Sequence, residues 1–169
     1  MAILNKNIFL IGMPGCGKTT IGKIVAKELN CSFYDMDEYI VEISKKGIQE
    51  LFNEGENVFR ELETKACREL SVKNRCIIST GGGVIKSKVN REILRNNGFV
   101  IFIDRPVEEI IKDVDIQSRP LLKNGVSEVY KLYEERYDLY KETCNVKVLN
   151  DVFLRDTINK VKEIINMGL

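Results

Sequence analysis

The chain lacks histidine and tryptophan altogether across its 169 residues. Without histidine there is no histidine-based triad and no histidine-ligated zinc, so acid–base chemistry falls to carboxylates. Charge of one sign is also lacking. Lys and Arg number 26 against 25 Asp and Glu, for a net charge of +1, and no global field favours nucleic acid or an acidic membrane surface. No apolar run approaches the ~20 residues of a membrane span. The opening MAILNKNIFLIG is too short an apolar run for a signal peptide. The five cysteines, Cys16, Cys31, Cys67, Cys76 and Cys144, are odd in number and irregularly spaced. They read as reduced thiols of a cytoplasmic protein, not as a disulfide framework. Repeats, low-complexity tracts and linkers are absent as well, so the expectation is one monomeric domain over residues 1–169.

What is present is an alternation of short apolar runs and longer amphipathic ones. The spacing predicts strands at Ile8–Ile11, Ser32–Tyr34, Cys76–Ser79, Phe99–Ile103 and Val146–Leu149. It predicts helices at Thr19–Leu29, Glu38–Lys46, Glu56–Ser71, Lys86–Asn96, Val107–Lys112, Val126–Lys141 and Leu154–Asn166. Such alternation implies an α/β fold, a five-stranded parallel sheet covered on both faces. Ligands of such sheets bind beyond the carboxyl ends of the strands, so the segment after each strand matters most.

After the first strand, Gly12-Met13-Pro14-Gly15-Cys16-Gly17-Lys18-Thr19 fits G-x-x-x-x-G-K-[ST] at every fixed position. Gly12, Gly15 and Gly17 let backbone N–H groups turn toward phosphate, Lys18 reaches the terminal phosphates, and the Thr19 hydroxyl ligates Mg²⁺. Cys16 is a small residue that fits the loop, and Thr20 continues into the helix whose positive end faces the ligand. The loop is therefore expected to hold ATP with magnesium. After the second strand, Asp35 and Asp37 stand two apart. If the strand continues they project to one side, one toward Mg²⁺ and one toward an acceptor hydroxyl. Capping of the next helix is the competing reading. After the third strand, Gly81-Gly82-Gly83 exposes backbone N–H groups to a small polar ligand or forms a mere turn. Nothing in the sequence explains Thr80 before it. In the helix from Glu56, Val58, Leu62, Ala66 and Leu70 read as the apolar stripe. Arg60, turned about 200° from Val58, points away from it.

Together these pieces resemble the shikimate kinase family, whose motif order is a P-loop, D-x-D, G-E-x-x-F-R-x-x-E, a triple glycine and an R-P-L lid. Here the later motifs are Gly55-Glu56-Asn57-Val58-Phe59-Arg60-Glu61-Leu62-Glu63, Gly81-Gly82-Gly83 and Arg119-Pro120-Leu121. The resemblance runs from about Ile8 to Tyr140. It implies a three-layer P-loop kinase fold with acceptor-binding helices at about 35–62 and a lid at about 112–125. It implies ATP-dependent phosphorylation of the shikimate 3-hydroxyl in aromatic amino acid biosynthesis. By motif, Lys18 contacts the transferring group, and Thr19 and Asp35 form the magnesium site. Asp37 is the base, and Arg60, held by Glu63, pairs with the shikimate carboxylate beside Arg136. Gly81, Gly82 and Gly83 line the acceptor pocket, and Arg119 closes over the γ-phosphate.

The nucleotide base has fewer recognisable partners. Where many relatives carry an arginine early in the lid this chain has Lys112, and the adenine loop after the last strand, Asn150-Asp151-Val152, is short, with Arg155 the only nearby arginine. In the helix before that strand, Arg136 shares a stripe with Leu132 and Tyr140. The tyrosines at 130, 133, 137 and 140 read as packing residues. A gluconate-type P-loop kinase and a catalytically silent nucleotide-binding relative stand as the alternative functions.

Overall fold

The structure, a computed structural model, describes residues 5–113, 125–151 and 153–167. Five strands form one sheet: β1 (Asn7–Ile11), β2 (Ser32–Asp35), β3 (Cys76–Ser79), β4 (Gly98–Asp104) and β5 (Val146–Leu149). All pairings are parallel and the order is β2-β3-β1-β4-β5. The chain builds to one side of β1 first and to the other side from β4 onward. The order therefore reverses at β1, where ligand crevices open in such sheets.

The helices are α1 (Lys18–Leu29), α2 (Met36–Ser44), α3 (Ile48–Glu54), α4 (Glu56–Ser71), α5 (Lys88–Asn97), α6 (Val107–Asp113), α7 (Val126–Thr143) and α8 (Leu154–Asn166). They cover both faces of the sheet. On one face, Gly22 of α1 lies so close to Leu10 and Phe33 that a methyl there would overlap the Phe33 ring. On the other, Tyr140 of α7 stacks on Phe102, with ring centroids 5.0 Å apart. Ile11 pairs with Phe102 in register, and Leu10, one residue away, faces the opposite layer. β1 and β3 are buried throughout, as their unbroken apolar runs require, whereas the edge strands β2 and β5 are half exposed. Burying each large β1 side chain contributes about 1.5–3 kcal/mol, which anchors the start of the glycine loop.

Three local expectations change. Helix α3 was not foreseen: seven residues after an uncapped Gly47 give too little periodicity to read. β2 stops at Asp35, and Asp37 lies in the first turn of α2. The two carboxylates are therefore related by helix geometry and not by strand alternation. On α4 the buried face runs through Phe59, Glu63, Ala66, Cys67 and Leu70, while Val58 is exposed. The stripe begins one residue later than the apolar count suggested, because a glutamate occupies one of its core positions.

Candidate active site

The glycine loop joins β1 to α1 in a conformation that side chains disfavour. Gly15 and Gly17 adopt φ of 80° and 102°, left-handed values open to glycine at little cost. Gly17 caps α1 with no side-chain hydrogen bond, and no acidic residue stands in the first turn. The first-turn N–H groups of a helix have no intrahelical acceptor, so this end of α1 is set up for an anion. Lys18 is buried, its Nζ donating to the carbonyls of Gly12 and Met13 at 2.9 Å each. Cys16 is fully buried with its Sγ 3.7 Å from that Nζ. Thr20 stands exposed on the rim.

Thr19 and Asp35 meet as the sequence suggested. The Thr19 hydroxyl donates to Asp35 Oδ2 at 2.6 Å and lies 3.1 Å from Ser79 Oγ. Asp35 also caps α2, its Oδ1 accepting from the N–H of Asp37 at 2.9 Å and of Glu38 at 3.3 Å. The capping reading of D-x-D therefore holds for Asp35, whose other oxygen meets Thr19. Hydroxyl and carboxylate oxygens suit Mg²⁺, which takes few protein ligands and keeps waters and phosphate oxygens. No cluster of three metal-binding acids or cysteines occurs among the described residues. Ser79 was missed, since it reads only as the polar end of an apolar strand.

The triple glycine is where three segments converge. A methyl on Gly81 would stand 2.9 Å from Glu63 Oε1 and 3.2 Å from Asp37 Oδ1. On Gly82 it would strike the Pro14 ring at 2.6 Å, and on Gly83 the Arg60 guanidinium at 2.3 Å. Gly82 is therefore required for close approach to the phosphate loop, whereas side chains at 81 and 83 would push aside the acidic pair and the arginine. Tyr140 donates its hydroxyl to the Gly82 carbonyl, locking the loop from α7. Thr80 has a role after all, its hydroxyl donating to the Leu10 carbonyl at 2.9 Å and extending the β1–β3 ladder.

Arg60 is held on two sides. It donates to Glu63 Oε2 at 2.8 Å and to Glu56 Oε1 at 3.0 and 3.1 Å, and lies against the Phe59 ring. Burial alone would lower the pKa of Arg60, but Glu63 and Glu56 outweigh it and raise the value above ordinary. Glu63 is 1% exposed, and burial pushes its carboxyl up against the opposing pull of Arg60 and Arg136, with Asp37 adding to the rise. Arg136 is 1% exposed, and its Nε and Nη1 are buried without hydrogen-bond partners, as is Glu63 Oε1. Buried guanidinium donors without acceptors are costly, and they mark where an anion fits. Burial also raises the Tyr140 hydroxyl, with Arg136 beside it opposing.

On the far side of the loop lies a cavity of about 280 Å³ lined by Gly17, Thr20, Arg105, Glu109, Asp113 and Asn150, among others. Arg105 was not singled out by the sequence, and Asn150 only as the start of the short loop after the last strand. Arg155 is engaged with Glu28 of α1 at 2.6 Å, and Lys112 with Glu109. Arg119 and most of the expected lid lie outside the described residues; Asp113 ends α6 and Gly125 precedes α7. No described helix is long and apolar enough to cross a membrane.

Known proteins share both the sequence and this geometry. The family model described as Shikimate kinase matches residues 14–166. A shikimate kinase of Clostridium botulinum (strain Alaska E43 / Type E3) is 52% identical over 162 residues, covering 96% of this chain and 98% of that one. One from Clostridium beijerinckii is 53% identical over 95% of each chain. Among solved structures, shikimate kinase from Acinetobacter baumannii in complex with shikimate superposes with a TM-score of 0.92. Its identity is 33%, and the match covers 96% of this chain and 94% of that one.

Proposed function

The chain belongs to the shikimate kinase family, and we propose that its site transfers the γ-phosphoryl group of ATP to the 3-hydroxyl of shikimate, giving shikimate 3-phosphate and ADP. The observation that carries the acceptor assignment is the pair of unpartnered Arg136 donors buried within electrostatic reach of Glu63, which itself holds Arg60 and adjoins Gly81. A small ring carboxylate is the anion that a buried guanidinium matches in two hydrogen bonds, and it leaves the ring hydroxyls to face the acids.

Roles follow from position. Gly12, Gly15, Cys16, Gly17, Thr19 and Thr20 surround the triphosphate, and Lys18 exchanges its loop carbonyls for phosphoryl oxygens. Asp37 orients the acceptor hydroxyl and takes its proton as the phosphorus–oxygen bond forms. Arg60 and Arg136 hold the carboxylate, and Glu63 and Glu56 fix the Arg60 fork so that little side-chain freedom is lost on binding. Gly81, Gly82 and Gly83 form the floor. Thr19 and Asp35, with Ser79 adjoining, would hold Mg²⁺, which supplies charge neutralisation across the phosphate oxygens when bound. Arg119 is assigned the γ-phosphate on sequence alone, and Arg155 the margin of the nucleotide site, reached only by releasing Glu28. A monomer in the cytoplasm stays the expectation, on the irregular, odd-numbered cysteines that the sequence carries.

The test is coupled ADP release with ATP and Mg²⁺ in the presence of shikimate, gluconate or nucleoside monophosphates. Turnover that depends on shikimate alone is expected. Turnover on gluconate, or ATP binding with no acceptor-dependent turnover, would sink the assignment.

A further inference from the structure

The phosphate loop is held from outside by two residues that no motif contains. Arg105, just past β4, donates from Nη1 to the Gly15 carbonyl at 3.1 Å. Its other Nη pairs with Asp113 at the end of α6. Asn150, just past β5, donates from Nδ2 to the Cys16 carbonyl at 2.9 Å. Asn150 is itself fixed: its N–H donates to the Asp104 carbonyl at 2.7 Å, and its Oδ1 accepts from the buried Thr157 hydroxyl at 3.0 Å. The Cys16 carbonyl can only accept, so the amide nitrogen, and not the oxygen, faces the loop.

In a trans peptide the carbonyl and the following N–H point in opposite directions. Holding the Cys16 carbonyl outward on Asn150 therefore turns the Gly17 N–H inward, to the side where α1 begins. Holding the Gly15 carbonyl on Arg105 turns the Cys16 N–H back across the loop, where it donates to the Met13 carbonyl at 3.2 Å and closes the turn. Gly15 and Gly17 have left-handed backbones with few side-chain constraints of their own, so orientation must come from neighbours. We propose that Arg105 and Asn150 are positioning residues of the phosphate loop, presetting its N–H groups by anchoring its outer carbonyls before a triphosphate arrives. This rests on the reading of the loop as a triphosphate site.

The experiment measures binding of two probes, ATP and inorganic tripolyphosphate, each with Mg²⁺, by calorimetry on the full chain and its Arg105→Met and Asn150→Asp variants. Tripolyphosphate has the phosphates and no nucleoside, so it isolates the loop. Both variants should lose about tenfold in affinity, the size of one charge-assisted or buried hydrogen bond, equally for both probes. The shikimate KM should stay within about twofold, and Arg105→Lys, which keeps a donor for Gly15, should recover part of the loss. Should Arg105→Met fail to fold, Arg105→Lys read against both probes serves in its place. A loss for ATP alone would mean that these residues touch the nucleoside, and overturn the proposal. Unchanged affinity for both, or parallel loss of shikimate and nucleotide binding with a lowered Tm, would overturn it as well. If the unmodified chain binds neither probe, the triphosphate reading itself fails and takes the proposal with it.

Discussion

The acceptor side and the nucleotide mouth, on either side of one phosphate loop, are built on opposite terms. The acceptor side places Glu63 and Arg136 almost wholly out of water, with polar atoms left unpaired. The mouth is lined by Thr20, Glu109, Asp113, Asp151 and Leu154, and its ion pairs involve exposed side chains. Buried charge is expensive to assemble and unforgiving of change, whereas exposed pairs contribute little. On the proposed function, the difference teaches that selectivity is concentrated where desolvation has already been incurred, while the nucleoside end relies on a triphosphate gripped by backbone.

The comparison breaks most sharply at Asp37. Asp37→Asn should lower kcat by about 10²–10⁴-fold, the usual range for a general base, with ATP affinity intact; near-normal turnover in the coupled assay would remove Asp37 as the base. Next is Arg136→Met. We expect the shikimate KM to rise about 100-fold, yet the unliganded protein to keep its stability in denaturant unfolding, because the loss of a cation facing Glu63 is offset by removal of a buried, partly unpartnered charge. A loss of stability would show that Arg136 is satisfied without ligand. Gly83→Ala should come third, raising the shikimate KM about tenfold by pushing the Arg60 guanidinium aside, with ATP KM unchanged.

Acidity sharpens the contrast further. Glu63 has a raised carboxyl pKa in the fold, faced by Arg60, Asp37 and Arg136. Its titration therefore contributes stability that is complete below about 4.5, the ordinary value, and is lost as pH rises through the raised value. The ionised form is what holds Arg60, so kcat/KM for shikimate should fall as pH drops through that same raised value. Glu63→Gln should abolish that limb and leave a uniformly weak acceptor affinity; an unaltered profile would dissociate Glu63 from the effect. Smallest of all is Arg155→Ala at the mouth. With Arg155 occupied by Glu28, the ATP KM should move by about threefold or less; a larger shift would assign Arg155 to the nucleotide directly.

Much of this could be read in advance, and for identifiable reasons. The five strands and the glycine loop announce themselves because a sheet buried on both faces demands unbroken apolar runs and a phosphate turn demands glycines at fixed intervals. Arg60, Glu63 and Asp37 were legible through their motif neighbours. What the sequence concealed depends on distant meetings. Arg105 reaches the loop from 90 residues away, Asn150 from 134, and Ser79 joins Thr19 only because β3 lies beside β1. The start of the α4 stripe was misplaced because Glu63 is a charged residue in a core position, which hydropathy alone reads as surface.

Asp35 has a consequence for how this protein tolerates mutation. One of its oxygens caps α2 and the other accepts from Thr19. Asparagine and serine are good caps too, so a library screened only for soluble, folded protein should accept them freely at this position. A library screened for growth that depends on the enzyme's own turnover should reject them. Disagreement between two such screens at Asp35, set against agreement at a core position such as Ile78, would separate architecture from catalysis at the level of a single carboxylate.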